Sequence, residues 1–314
     1  MTKPPQLFFV TLNWNTTNLL KTMIGMVEAT TPELHTWIIV DNGSNPDNLG
    51  GLLEWVQAEH GNDYFLVPPE VNGHWTGARE HGAHFLIVVN PENVGLILAH
   101  NLAFDLARHI ADGQPHEIVM VDTDVEIYER GWLAKAMEWA DQHPEVGIVG
   151  MEHSHPSQEV CAPAIFIEPG GHWYLHEEQT RQHEPAEGES VGLGLALIRW
   201  PVLEAGLRFD MGYKLYGSQD DDLCFLVRYE LGLEVWAYPI DMWHRGSLSL
   251  KSCDYKVGDI ADQDEWNVKI RQVNQAYFAR RWAWVLGLPR RSMADERLHL
   301  EKVRARMRAR RDSV

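Results

Sequence analysis

The sequence is short of most features that advertise a function. It has three cysteines, Cys161, Cys224 and Cys253, and no CxxC pair, which argues against a zinc framework, a paired redox motif or a disulfide scaffold. No stretch approaches the roughly 18 apolar residues of a membrane-spanning helix; the longest candidates are runs such as 85–89. Residues 1–6 carry no apolar leader, so the expected location is the cytoplasm. There is no GxxxxGK[ST] phosphate loop and no GxGxxG after the first strand; Gly192-Leu193-Gly194 lacks the third glycine and the context. A GxSxG elbow and Ser-His-Asp spacing are missing too, so nothing supports a serine hydrolase.

Positive charge is also scarce. The net charge is −18, and residues 271–314 hold twelve Arg or Lys against four acids, leaving 15 basic and 41 acidic residues for the rest. A phosphate backbone needs cationic surface, so nucleic acid is not expected to bind the main body. The basic tail is the exception. Trp282, Trp284 and Leu286 with Arg280, Arg281, Arg290 and Arg291 could meet an anionic membrane or lipid-linked acceptor. They could also pack on the acidic body of the same or a neighbouring subunit, which the opposite charges favour.

What is present reads as strands and helices in turn. In a chain of 314 residues, 45% hydrophobic and 23% charged, apolar runs at 7–12, 37–40, 85–89, 118–121, 146–149 and 235–238 fit buried strands. Helical spacing appears at Leu19, Leu20, Met23 and Val27, at Leu98, Leu102, Phe104, Leu106 and Ala107, and at Leu133, Ala136, Met137 and Ala140. This alternation implies an α/β domain with a mainly parallel sheet covered on both faces. The polar, Gly- and His-rich segment 62–84 reads as an insertion, and 264–314 as a helical extension with a basic end.

Chemistry is expected where strands end, because ligands of open parallel sheets bind beyond the strands' carboxyl ends. Asp41, Asp122 and Asp124 fall there. Asp122 and Asp124 can turn toward one hard cation, and such an ion would supply the positive charge that a bound nucleoside diphosphate finds nowhere else. The plainer alternative is a solvated turn in which an Asp caps the next helix. A second constellation is Gly217-Ser218-Gln219-Asp220-Asp221-Asp222-Leu223-Cys224. Leu223, Val227 and Leu231 repeat every four residues and Gly232 closes the run, so the acids occupy a helix's first turn, where the dipole should keep an aspartate ionised and able to act as a base. His244, in Asp241-Met242-Trp243-His244, is a candidate third metal ligand or an ordinary surface group. The histidines His153, His155, His172, His176 and His183, with Trp173 and Tyr174, either line an acceptor site or sit on solvated loops.

These pieces have an order: Val10-Thr11-Leu12-Asn13; Ile39-Val40-Asp41-Asn42-Gly43-Ser44; Asn90-Pro91-Glu92-Asn93-Val94-Gly95 with Asn101; Val121-Asp122-Thr123-Asp124; residues 217–224 with Arg228 and Gly232; then His244. Over residues 7–249 this order resembles family 2 glycosyltransferases. The resemblance implies a GT-A fold, with a Rossmann-like mainly parallel sheet over residues 1–250 and the helical extension at 251–314. It places nucleotide binding in residues 1–125 and acceptor binding in 126–250. It also implies sugar transfer from a nucleoside-diphosphate sugar to an acceptor hydroxyl, with inversion. By the same likeness Thr11, Asn13 and Asp41 line the nucleotide pocket, Asn93, Gly95 and Asn101 shape the adjoining nucleotide and sugar pocket, and Asp122 meets both ribose and metal. Mn²⁺ or Mg²⁺ is held by Asp122, Asp124 and His244, and Asp220 is the base. Gln219, beside the acceptor, stands where the family usually has Glu. Two other readings remain open. A nucleotidyltransferase shares the sheet and the acids, but its glycine-rich basic loop is missing from residues 11–17; a non-catalytic nucleotide-sugar binder would have lost the acids that are present.

Overall fold

The computed structural model describes residues 5–68, 75, 82–153, 165–168, 172–175, 184–214, 217–245 and 263–286. Its strands are β1 (Gln6–Asn13), β2 (Thr36–Asn42), β3 (Tyr64–Val67), β4 (Phe85–Asn90), β5 (His116–Val121), β6 (Val125–Ile127), β7 (Val146–His153), β8 (Ile165–Glu168), β9 (His172–Leu175), β10 (Ala186–Gly188), β11 (Leu195–Ile198), β12 (Glu234–Ile240) and β13 (Met242–His244). The helices are α1 (Thr17–Thr30), α2 (Pro46–His60), α3 (Leu96–Ala111), α4 (Trp132–Asp141), α5 (Trp200–Glu204), α6 (Gln219–Phe225), α7 (Gln263–Arg281) and α8 (Ala283–Leu286).

Nine strands form one sheet in the order β10-β12-β7-β11-β5-β1-β2-β4-β3. Strands β5, β1, β2, β4 and β3 run parallel, as do β7 and β12, while β11 lies antiparallel between β5 and β7 and β10 is antiparallel on the edge. The uninterrupted apolar runs arise from burial of both faces. Along the strands Phe8, Val10, Ile38 and Val40 enter one core, and Phe9, Trp37, Ile39 and Ile87 the other. Helix α3 covers the first face through Ala103, Phe104 and Ala107; α1 and α4 cover the second through Leu20, Met23, Leu133 and Ala136.

The structure corrects the sequence reading in four places. Tyr64–Val67, inside the supposed insertion, pairs with β4 as the edge strand, and Trp75 is buried; residues 69–74 and 76–81 lie outside the described residues. Helix α2 escapes the periodicity reading although Asn45 caps it, accepting from Asn48 N at 2.9 Å, and Pro46 opens it; it buries only Leu52 and Val56, too few for a clear period. From Leu226 to Leu231 the α6 helix widens to π-type turns before Gly232 closes it at φ 70, so the four-residue repeat does not continue as plain α-helix. Lastly, Phe278, Trp282, Val285 and Leu286 of the extension sit in the first core. Trp282 and Leu286 therefore face this chain's own interior and are not offered to a membrane, while residues 287–314, with Arg290 and Arg291, lie outside the described residues. Among the described residues no helix is long and apolar enough to cross a membrane.

Candidate active site at the carboxyl edge of the sheet

Strand β5 ends at Val121, and the chain turns at once: Asp122 N donates to Gly194 O at 2.7 Å and Val125 N to Asp122 O at 3.2 Å. The next element is strand β6, not a helix, so the helix-capping alternative for the two acids falls away. Strand β6 pairs antiparallel with β13, which sets His244 opposite Val125, and Arg245 N donates to Asp124 O at 3.0 Å. This ribbon carries His244 Nε2 to 3.1 Å from Asp124 Oδ1 and 3.7 Å from Asp122 Oδ2. One ligand atom from each of the three residues lies within 4.8 Å of the others.

The donor set fits a divalent cation. Two carboxylates crowd one imidazole nitrogen, and seclusion together with Asp124 pushes the Asp122 carboxyl above its ordinary range, against the pull of His244. The Asp122 side chain is 44% exposed, so water screens part of that push and an ion has a way in. Space is reserved as well. A Cβ on Gly194 would lie 2.6 Å from His244 Cε1 and 3.1 Å from Asp122 Oδ2, so any larger residue forces the His244 ring and the cluster to shift. The sequence offered Gly194 only as part of an incomplete GxGxxG match; here it permits close approach of His244 and Asp122, which no one-dimensional motif records.

Asp220 lies in the first turn of α6, after Gly217 at φ 97 and Ser218 at φ 62. The expectation that the helix dipole keeps it ionised is not met. Burial, then the charges of Asp221 and Asp122, push its carboxyl up to about 7, while the Gln219 amide and His244 oppose the rise. Desolvation among acids outweighs the favourable field of the helix N-terminus here. Gln219 Nε2 donates to Asp220 Oδ1 at 3.1 Å, and Gln219 Oε1 is buried with no hydrogen-bond partner among the described residues. The other two acids turn inward. Asp221 accepts from Ser190 Oγ at 2.7 Å. Asp222 accepts from Tyr213 OH at 2.9 Å and Trp282 Nε1 at 2.7 Å, with Arg281 Nε 2.8 Å away. The helical extension thus braces α6 from behind.

At the ends of β1 and β2, Asn13 and Asp41 are register partners, and Asn13 Nδ2 donates to Asp41 Oδ2 at 2.8 Å. Asp41 Oδ1 accepts from Ser44 N at 3.0 Å, which fixes the turn. Both side chains are buried, so direct contact with a ligand requires these bonds to be exchanged. Thr11 Oγ1 is buried and has no hydrogen-bond partner among the described residues. Asn93 Oδ1 accepts from Asn42 Nδ2 at 3.0 Å and from Gly95 N at 2.9 Å, holding the loop ahead of α3, where Gly95 takes φ 85. Asn101, in α3, is bonded to the backbone of Phe209. Its Nδ2 donates to Phe209 O at 3.0 Å and its Oδ1 accepts from Phe209 N at 3.1 Å, so its amide clamps α3 to a distant loop. His153 ends β7 and His172 begins β9, whereas His155, His176 and His183 lie outside the described residues.

No family model and no curated relative matches the chain. Solved structures do resemble it. A mannosyltransferase, PcManGT from Pyrobaculum calidifontis, in complex with GDP-Man and Mn²⁺, superposes at TM-score 0.51 with 14% identity, covering 76% of this chain and 56% of that one. GalNAc-T7 with UDP, GalNAc and Mn²⁺ gives TM-score 0.56 and 15% identity over 76% of this chain and 44% of the other. The chain spans about half the length of these solved chains. Both neighbours are glycosyltransferases of GT-A type, and the mixed sheet with helices on both faces is that fold.

Proposed function

We propose that the chain is a metal-dependent glycosyltransferase of family 2 type that moves a sugar from a nucleoside-diphosphate donor to an acceptor hydroxyl with inversion. The observation that carries this reading is the convergence of Asp122, Asp124 and His244 at the sheet's carboxyl edge, with Asp220 close enough to feel the charges of Asp122 and His244. When bound by these three residues, Mn²⁺ or Mg²⁺ offsets the negative charge of the departing diphosphate. The imidazole in the set favours Mn²⁺ over the purely oxygen-seeking Mg²⁺.

The chain's own contribution is binding, orientation and a proton acceptor. Asp220, in its ionised form, takes the proton of the acceptor hydroxyl as that oxygen bonds to the anomeric carbon and the bond from that carbon to the diphosphate oxygen breaks. A base with a carboxyl near 7 is far better matched to a hydroxyl than an ordinary aspartate. The Gln219 amide steadies the anionic form by donating to Oδ1, a service the usual Glu performs only when protonated. Tyr213, Trp282 and Arg281 hold Asp222, and through it α6, so that the base keeps its station.

Calorimetry with UDP and GDP, each with Mn²⁺ and with chelator, tests the reading. Binding of at least one nucleotide only when Mn²⁺ is present, lost in Asp124→Ala, is the expected outcome. Absence of heat for every nucleoside diphosphate and nucleotide sugar under both conditions overturns it.

A further inference from the structure

The opposite, amino-terminal edge of the sheet holds a second cluster that the glycosyl-transfer reading does not use. Glu28 lies near the end of α1, His35 just before β2 and His84 just before β4, and their ligand atoms fall within 4.8 Å of one another. His35 Nε2 is 3.0 Å and His84 Nε2 3.1 Å from the same atom, Glu28 Oε1. Trp37 Nε1 donates to that oxygen too, at 2.6 Å.

The other ring nitrogens decide what this means. His35 Nδ1 lies 2.6 Å from Glu33 O, and His84 Nδ1 lies 3.0 Å from His35 O. A backbone carbonyl only accepts, so each Nδ1 must carry the proton. A neutral ring has one proton, and both Nε2 atoms then present lone pairs to a carboxylate oxygen, which is repulsive. The clash is relieved if both rings become imidazolium ions, or if a cation takes all three lone pairs. The geometry is that of metal ligation: Nδ1–H anchored on a carbonyl, Nε2 free for the ion, and the ligating carboxylate steadied by a further donor, here Trp37. Metal–ligand bonds of about 2.0–2.1 Å place tetrahedral neighbours about 3.4 Å apart, within a few tenths of the 3.0 and 3.1 Å seen.

We propose that Glu28, His35 and His84 form a binding site for a divalent cation of the zinc class, separate from the crevice and independent of the glycosyltransferase reading. Two imidazoles and one carboxylate select Zn²⁺, Co²⁺ or Ni²⁺ over Mg²⁺ or Ca²⁺. The site leaves a fourth position for water, and it has access: the Glu28 and His84 side chains are 32% and 23% exposed while His35 is nearly closed off. Because the three residues come from α1 and from the entries of two neighbouring strands, the ion would pin helix to sheet.

Zinc alone is the probe. In full-length Asp122→Asn/Asp124→Asn protein, where the crevice ligands are removed, one equivalent of Zn²⁺ should survive gel filtration, and Co²⁺ should give the visible band of a four-coordinate site. On that background Glu28→Gln and His84→Ala should each weaken Zn²⁺ binding by at least about tenfold, with circular dichroism reporting whether they fold. In the metal-free chain at alkaline pH, long-range ¹H–¹⁵N spectra should find the proton of both rings on Nδ1. No retained Zn²⁺, retention unchanged in both folded variants, or Nε2–H rings overturns the proposal.

Discussion

The two ends of the sheet use the same side chains in opposite proportions. At the carboxyl edge two carboxylates share one imidazole, and burial first, with neighbouring carboxylates adding to it, raises Asp122 and Asp220 above the ordinary carboxylate range. At the amino edge two imidazoles share one carboxylate. Burial alone would raise Glu28, but where the rings carry a proton on Nε2 as well, hydrogen bonds from His35, His84 and Trp37 outweigh it and hold the carboxyl well below its usual range. The His84 ring moves the other way, upward, chiefly through its bond to Glu28. One end gathers carboxylates around a single imidazole; the other gathers imidazoles around a single carboxylate and ties α1 to the entries of β2 and β4.

The largest effect that would break this comparison belongs to Asp220. Asp220→Asn should lower kcat by about 10³-fold, within the range general-base removal produces, while calorimetry finds nucleotide affinity unchanged. A normal rate would remove the base from the carboxyl edge. Gly194→Ala comes next, since its methyl would meet His244 at 2.6 Å. About a tenfold loss of Mn²⁺-dependent nucleotide affinity is expected, with little change in Tm. A pH–rate profile sharpens the contrast further. The base works ionised, so activity should rise with pH through about 7 and level off above it. Gln219→Glu replaces the amide donor by a charge, lifts the Asp220 carboxyl higher, and should move that limb to more alkaline pH. Smallest is the amino edge. Glu28→Gln leaves two imidazoles facing a neutral amide and should cost about 1–2 kcal/mol in unfolding free energy, read by denaturant titration. Its kcat should match the parent's; a large fall would couple the two ends.

How much of this was legible in the sequence depends on the distance over which each feature is set. The six principal strands were readable because both faces are buried and the runs are continuously apolar. Strand β11 was not, although Leu195–Ile198 is just as apolar, because nothing in four residues says that they run antiparallel between β5 and β7. Asp122 and Asp124 were findable from their place after a strand. The bond between Asn101 and Phe209 was not readable, because the partner is 108 residues away. The amino-edge histidines left no trace as a group, since Glu28, His35 and His84 have neither a helical nor a strand period in common.

The sequence by itself determined the alternation of strand and helix, the acids at the strand's end, and the crowding of Asp220 to Asp222, because local periodicity and adjacency are written along the chain. Tertiary structure alone decided the β6–β13 ribbon that delivers His244, a ligand the family resemblance had already named, that Gly194 keeps the space open, that the helical extension closes the core behind Asp222, and that two histidines meet on one glutamate. Ligand geometry and desolvation are properties of atoms brought together from remote segments, and only folding sets those distances.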